Sequence, residues 1–430
     1  MARRFFMSTL GCPKNEVDSA KLAGRLSEAG YEQTDAAERA DLVVVNTCAF
    51  IEAAREESIA EILELSAVRR PGARLAVTGC LAERFGDELA AALPEVDVVA
   101  GFGVDFAAAP GEARVSLLAR RDIPSFDLLE LPRPKSGSPW AYVKVAEGCD
   151  RRCGFCAIPS FRGRQRSRSL ASILAEVESL EAREVVLVAQ DLASFGRDRS
   201  RRQEGGDGGA CSGGDIVALV EAVAKLVDRV RLLYLYPSSL SDGLIDAVVS
   251  TGVPYFDLSL QHASGRLLRS MRRYGSRERF LERIDRIRAQ APEAALRSSF
   301  ILGYPGETEE DHDELLGFLE EAGLDWAGFF SFSPERGTPA AAADGQVPAA
   351  LALERLAECS ELQDRITEAR RASLVGSSAS VLVDSPGRGR SFREAPEIDG
   401  VVHLPAELCP GGIYDVQITG SLGPDLLAAP

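Results

Sequence analysis

Along the first hundred positions, apolar residues gather in short dense runs at 5–10, 41–46, 74–79 and 96–100. Runs of that length, set off by turn residues, predict buried strands. Between them, residues 17–29 and 53–66 space their apolar positions three and four apart, which predicts amphipathic helices. Strand and helix in alternation predict a small α/β domain on a parallel sheet. The pattern loosens over 105–139, where Pro, Gly and Ser accumulate near the end, and this reads as a linker. Alternation resumes at Trp140, with strands at 141–146, 185–189, 231–236, 255–260, 296–302 and 326–332. Helices are predicted at 170–181, 216–227, 240–250, 278–289 and 309–322. Six βα units in a row predict a barrel or an open partial barrel whose site lies at the carboxyl ends of its strands. A charged helix follows over 351–374, then short strands at 380–384, 400–404 and 414–420, the pattern of a small β-barrel. The expected organisation is an N-terminal parallel-sheet α/β domain (1–105), a linker (106–138), a central (β/α)6 partial barrel (139–365) and a C-terminal small β-barrel (366–430).

Composition supports more than one core. The chain has 430 residues, 45% of them hydrophobic and 27% charged, the profile of a globular protein of two or three domains. No apolar run is long enough to span a bilayer. The opening MARRFFMSTLGC has too short an apolar stretch for a signal peptide, so a cytoplasmic protein is expected. The net charge of −16 argues against a globally basic surface that grips nucleic acid. It suits a basic protein partner. Nine cysteines need a use other than disulfides in a reducing compartment, and metal or cluster ligation is the usual one.

The sharpest motif is Cys149-x-x-x-Cys153-x-x-Cys156. Three thiolates in one loop suit iron better than a disulfide framework. A four-iron cluster held by three cysteines leaves one iron open to a small ligand. The bland alternative is a zinc loop, but zinc sites usually pair CxxC units into four ligands. A second set is less obvious. Cys12, Cys48 and Cys80 end the segments FMSTLGC, LVVVNTC and LAVTGC, each just after a predicted strand. Carboxyl ends of parallel strands share one edge, so these three can converge on a second cluster. The competing reading is three buried free cysteines, a common fate for the residue. Cys359 and Cys409 have no partner at ligand spacing and read as structural. Cys211 lies in the Gly-, Arg- and Asp-rich segment 197–215, read as a surface insertion.

At Cys149, Cys153 and Cys156 the chain resembles the radical S-adenosylmethionine (SAM) superfamily, with Phe155 at the usual aromatic position. The resemblance implies a 4Fe–4S cluster whose open iron is chelated by SAM, and reductive cleavage of SAM to a 5′-deoxyadenosyl radical. The protein positions this cofactor chemistry. The segment RSSFILGYPGE, from Arg297 through Gly303 to Glu307, is similar to the glycine-containing stretch that packs against SAM. With the N-terminal cysteines added, the chain is similar to radical SAM methylthiotransferases over nearly its whole length. Their order is auxiliary-cluster domain, radical SAM domain, TRAM domain. The resemblance implies two 4Fe–4S clusters and two uses of SAM, one to methylate a sulfur at the auxiliary cluster and one to activate the substrate carbon.

Two branches of that family compete. One modifies adenosine in tRNA, and the other the β-carbon of an aspartate in the small-subunit ribosomal protein of the decoding centre. Gly11-Cys12-Pro13-Lys14-Asn15, Asn46-Thr47-Cys48-Ala49-Phe50-Ile51 and Ala395-Pro396-Glu397-Ile398-Asp399-Gly400 look like the ribosomal-protein branch. From Gly376 to Pro430 there are three arginines, no lysine and seven acidic residues, a charge of 3 − 7 = −4. An acidic domain suits a basic ribosomal protein better than RNA phosphates. The partners implied are that ribosomal protein, a sulfur donor and an electron donor such as a flavodoxin or ferredoxin, with no membrane and no direct tRNA substrate. Ser259 stands where the family often has proline.

No catalytic side chain is singled out. Gln190, Gln261, Arg297 and Gly303 are the candidate SAM contacts. His262 is either a polar contact or a satisfied strand-end histidine. His312 and His403 read as surface or structural. Lys144 and Glu147 border the cysteine loop. Arg162 and Arg164 follow it, to steady the SAM carboxylate or simply to face solvent.

Overall fold

The computed structural model describes residues 3–102, 104–105, 116–117, 127–199 and 216–430. Cys211, much of the expected linker and most of the segment 197–215 lie outside these residues. The chain forms two compact units, one of residues 1–135, 142–151 and 157–168, the other of residues 136–141, 152–156 and 169–430.

The first unit is built on a parallel sheet. Its strands are β1 (Arg3–Thr9), β2 (Tyr31–Gln33), β3 (Leu42–Thr47), β4 (Arg74–Gly79), β5 (Val98–Ala100) and β6 (Ser116–Leu117), in the order β2-β1-β3-β4-β5-β6. Every residue of β3 is buried, because helices cover both faces of a parallel sheet and its central strands read as unbroken apolar runs. One core gathers Val43, Val45, Ile62, Leu75 and Val77. The other gathers Phe5, Leu22, Leu26, Val44 and Ala76. The alternating residues of β3 thus serve opposite faces. Three helices follow the central strands: α1 (Pro13–Glu28), α2 (Glu52–Val68) and α3 (Cys80–Ala92). Pro13 opens α1 at a position where a missing N–H costs nothing. The unit also holds β8 (Ala146–Glu147), antiparallel to β9 (Arg166–Ser167), and the single turn α4 (Ile158–Phe161).

The second unit contains the open barrel. Strands β10 (Glu184–Val188) and β11 (Arg229–Leu232) share a sheet with β7 (Trp140–Lys144), whose residues 142–144 belong to the first unit, and β12 (Tyr255–Gln261), β13 (Ala295–Leu302) and β14 (Trp326–Ser331) form another. Leu235 stitches them, donating to Asp257 at 2.9 Å and accepting from Ser259 at 2.9 Å. The helices α5 (Leu170–Leu180), α6 (Ile216–Val223), α7 (Asp242–Ser250), α8 (Gly265–Ser270), α9 (Arg277–Gln290) and α10 (Glu309–Ala322) alternate with the strands. Ser169, Ser241, Ser264, Ser276 and Thr308 cap their helices, each hydroxyl accepting a backbone N–H.

Helix α11 (Ala349–Ala372) leads through a short turn into a closed barrel of β15 (Ser378–Ser385), β16 (Arg388–Arg390), β17 (Val402–His403), β18 (Ile413–Leu422) and β19 (Asp425–Ala429). Val381, Val383, Val402, Val416, Ile418 and Leu426 fill it. The architecture is the expected α/β one: parallel-sheet domain, six-stranded partial barrel and terminal β-barrel.

Candidate functional site

Strands β1, β3 and β4 are neighbours in register, with Thr9 opposite Asn46 and Asn46 opposite Thr78. Cys12, Cys48 and Cys80 therefore leave the sheet on one edge. Gly11 marks how close the chains come. Its φ is +96°, and a Cβ there would lie 2.8 Å from the Cys48 sulfur, so a larger residue would invade the site. Asn15 braces the edge, its side-chain amide donating to Leu10 O at 2.9 Å and Thr47 O at 3.0 Å.

The three thiols sense one another. Burial pushes Cys48 up to about 12, and the neighbouring Cys80 and Cys12 add to the rise. Burial also raises Cys80, against the pull of Arg162. Cys12 moves the other way: burial opposes its ionisation, but Lys14, Arg162 and backbone N–H groups of Asn15 and Lys14 bring it below its ordinary value. Thiolate is the form that ligates metal.

Beside the thiols lies a buried ion network. Lys144 pairs with Asp18 and, at 2.7 Å, with Glu147. Arg162 reaches Asp18 at 3.1 Å, Glu147 at 3.0 Å, Asn15 at 2.7 Å and the Cys80 sulfur at 3.1 Å. Its guanidinium also stacks 4.2 Å from the Phe102 ring centre. Burial works against charge on Glu147, yet Arg162 and Lys144 hold its carboxyl well below the usual range. Arg162 is therefore not a solvent-facing residue, while Arg164 is exposed, 3.5 Å from Asp150.

In the Cys149–Cys156 loop, Gly148 has φ +77°, and a Cβ there would fall 2.3 Å from Arg164 O. Only glycine allows this close pass. The Cys149 N–H donates to Gly163 O at 3.1 Å, and Arg151 N–H points to the Cys149 sulfur at 3.4 Å. In the second unit, Arg273 lies 3.6 Å from the Cys153 sulfur and 3.9 Å from the Tyr236 ring centre. Among the described residues no group of three or more His, Cys, Asp or Glu is set to hold a single metal ion. Two sets of three cysteines, each meeting a guanidinium, fit iron–sulfur clusters in ligand chemistry.

The remaining candidates divide by position. Gln190 follows β10, Gln261 ends β12 and Gly303 follows β13, all at carboxyl strand ends. Gln261 has φ +75° and sits at a register shift against β13. Backbone strain of this kind gathers at functional sites. Glu307 closes the glycine turn, accepting from Gly303 N–H at 2.7 Å and Tyr304 N–H at 3.1 Å, and pairs with Arg355 at 3.0 Å. Arg297 is different. It lies near the start of β13, 3.2 Å from Asp257 and 3.3 Å from Asp399. Its guanidinium ties the partial barrel to the terminal one. His262 is fully buried, its Nδ1 accepting from Ser264 N–H at 3.0 Å, and burial lowers its pKa to about 3. It is a neutral imidazole. His312 is buried against Glu358 and His403 bonds Asp425, each at 2.8 Å. Cys359 is buried in α11, whereas Cys409 is exposed rather than part of a core. Sequence reasoning missed Asp18, Phe102 and Arg273. The apolar pattern carries no sign of them, since their partners lie far along the chain.

Comparison with known proteins agrees with this layout. Residues 4–101 match the family described as "Uncharacterized protein family UPF0004", residues 143–319 the "Radical SAM superfamily" and residues 375–430 the "TRAM domain". The "Ribosomal protein uS12 methylthiotransferase RimO" of Streptomyces coelicolor is 40% identical over 491 residues, covering 100% of this chain and 97% of its own. The protein of the same name from Moorella thermoacetica is 42% identical over 431 residues, covering 97% and 96%. Among solved structures, the radical SAM methyltransferase TsrM of Kitasatospora setae aligns with 79% of this chain and 74% of its own, at a TM-score of 0.47 and 18% identity. Fold and cysteine loop together define a radical SAM enzyme, a class that works with SAM and 4Fe–4S clusters. Within that class, the chain belongs to the ribosomal protein uS12 methylthiotransferase RimO family.

Proposed function

We propose that this enzyme transfers a methylthio group to the β-carbon of an aspartate in ribosomal protein uS12. The observation that carries the reading is the presence of two three-cysteine sets in one chain of this family. Cys149, Cys153 and Cys156 would hold the cluster that binds SAM, and Cys12, Cys48 and Cys80 the auxiliary cluster. When bound, these groups supply a hydrogen-abstracting radical from SAM and a sulfur for transfer.

The chain's own residues hold and shield this chemistry. Gln190, Gln261 and the turn at Gly303 line the carboxyl ends of β10, β12 and β13, where a barrel binds its ligand. Arg273 sits against the Cys153 sulfur, Arg162 against that of Cys80. His262, neutral, offers no charge to the site. The domains end near residues 105, 138 and 365, and the enzyme acts in the cytoplasm with a sulfur donor and an electron donor of flavodoxin or ferredoxin type. The acidic terminal barrel supports a basic protein partner.

The test is product analysis. Reconstituted enzyme, held anaerobic with SAM, sulfide and reductant, is offered unmodified uS12 and unmodified tRNA side by side. Mass spectrometry should find the methylthio group on an aspartate of uS12. The same group on a tRNA adenosine, with uS12 untouched, would overturn the substrate.

A further inference from the structure

We infer that Arg162 is a positioning residue for the auxiliary cluster, donating a hydrogen bond to the Cys80 ligand and raising the cluster's reduction potential. The inference rests on the reading of Cys12, Cys48 and Cys80 as cluster ligands.

Arg162 and Lys144 face Asp18 and Glu147, all four buried, so two cations meet two anions. One nitrogen of the guanidinium, Nη1, serves both carboxylates. The other, Nη2, is free of that duty. It points to Asn15 Oδ1 at 2.7 Å and the Cys80 sulfur at 3.1 Å. Asn15 is itself held by Leu10 and Thr47 at the ends of β1 and β3. The fork is therefore braced on five sides, with Phe102 beneath it. A buried ion network of this kind is costly to assemble, and balancing charge alone does not call for a nitrogen on a sulfur. Arginine is the side chain that can do both, since its donors are fixed in a plane and it never loses its proton. Lysine has one nitrogen and cannot span carboxylates and sulfur together.

An N–H donor draws electron density from a cluster thiolate and favours the reduced state, so such bonds raise the potential. The neighbouring residue adds a second link. Gly163 O accepts the Cys149 N–H at 3.1 Å. Two consecutive residues thus touch one cysteine of each set.

The experiment uses the full chain with Cys149, Cys153 and Cys156 changed to alanine, so that only the auxiliary cluster can assemble. Its midpoint potential is read by an EPR-monitored dithionite titration, with and without Arg162→Lys. The expected result is unchanged iron content and a more negative midpoint in the Arg162→Lys protein. An unchanged midpoint at full iron content overturns the inference and leaves the ligand reading standing. Absence of iron from the triple-alanine protein overturns both. Should Arg162→Lys fail to fold, the triple-alanine protein labelled with 15N-arginine decides. Hyperfine coupling of an arginine nitrogen to the reduced cluster supports the N–H···S bond, and its absence overturns it.

Discussion

The Arg231 guanidinium lies 2.7 Å from the Glu184 carboxylate, and neither side chain has any exposure to solvent. Glu184 also receives Arg390 of the terminal barrel at 3.1 Å. Arg231 continues to Phe392 O at 2.8 Å. One carboxylate thus anchors the barrel that follows α11.

This anchor sets an acid limit. Burial alone would raise the Glu184 pKa, but Arg231, Arg390 and Arg229 bring it to about 2, from an ordinary 4.5. A carboxyl depressed in the folded state stabilises fully above its unfolded pKa and loses that contribution as pH falls. Denaturant unfolding should therefore show stability dropping between about pH 4.5 and pH 2. Glu184→Gln should remove that slope and cost roughly 3–5 kcal/mol at neutral pH, because it leaves buried arginines without their anion.

Arg297 offers a test of position against sequence expectation. Its pairing with Asp257 and Asp399 makes it a brace. Arg297→Met should destabilise the protein by about 3 kcal/mol, read by urea denaturation. Affinity for SAM, measured by equilibrium dialysis on the folded variant, should stay within twofold. A tenfold loss of SAM affinity at full folding would return Arg297 to the cofactor site.

At Gln261 stability and binding should separate. A non-glycine residue in the left-handed region costs about 1 kcal/mol, and Gln261 has φ +75°. Gln261→Gly should leave thermal stability equal or higher while raising KM for SAM. A variant that is more stable and binds SAM normally would remove Gln261 from the site.

The two cysteine sets should fail differently. Alanine at Cys149, Cys153 or Cys156 should abolish SAM cleavage. Alanine at Cys12, Cys48 or Cys80 should leave 5′-deoxyadenosine formation intact and abolish the methylthio product. Either change should lower bound iron from about eight to about four atoms per chain. Loss of SAM cleavage in the Cys12 variant would show that the two sites are not separable.

Much of the fold could be read from local pattern. Helix α10 runs over Glu309–Ala322, as expected, because Thr308 and Asp311 form a capping box and Gly323, at φ +51°, stops it. Helix α7 begins two residues later than expected, since the Ser241 hydroxyl caps at Leu244 N–H. Helix α3 was not expected, and its backbone leaves helical geometry at Phe85. The shared sheet edge of Cys12, Cys48 and Cys80 was legible because each follows a strand. Their surroundings were not: Arg162 is 82 residues from Cys80 and 147 from Asn15. Nothing periodic links such positions. The partners of Arg297 were hidden for a related reason, as its place in the motif gives no hint that Asp399 waits in the terminal barrel.

The terminal barrel closes on itself in the order β15-β16-β17-β19-β18. A sheet without a free edge has no row of unpaired amides and carbonyls to offer a visiting strand. Whatever chain it meets must be recognised by side chains and turns alone. Recognition there is a matter of charge and shape, and a mutation that reverses the sign of those turns should change partner choice while leaving the barrel closed.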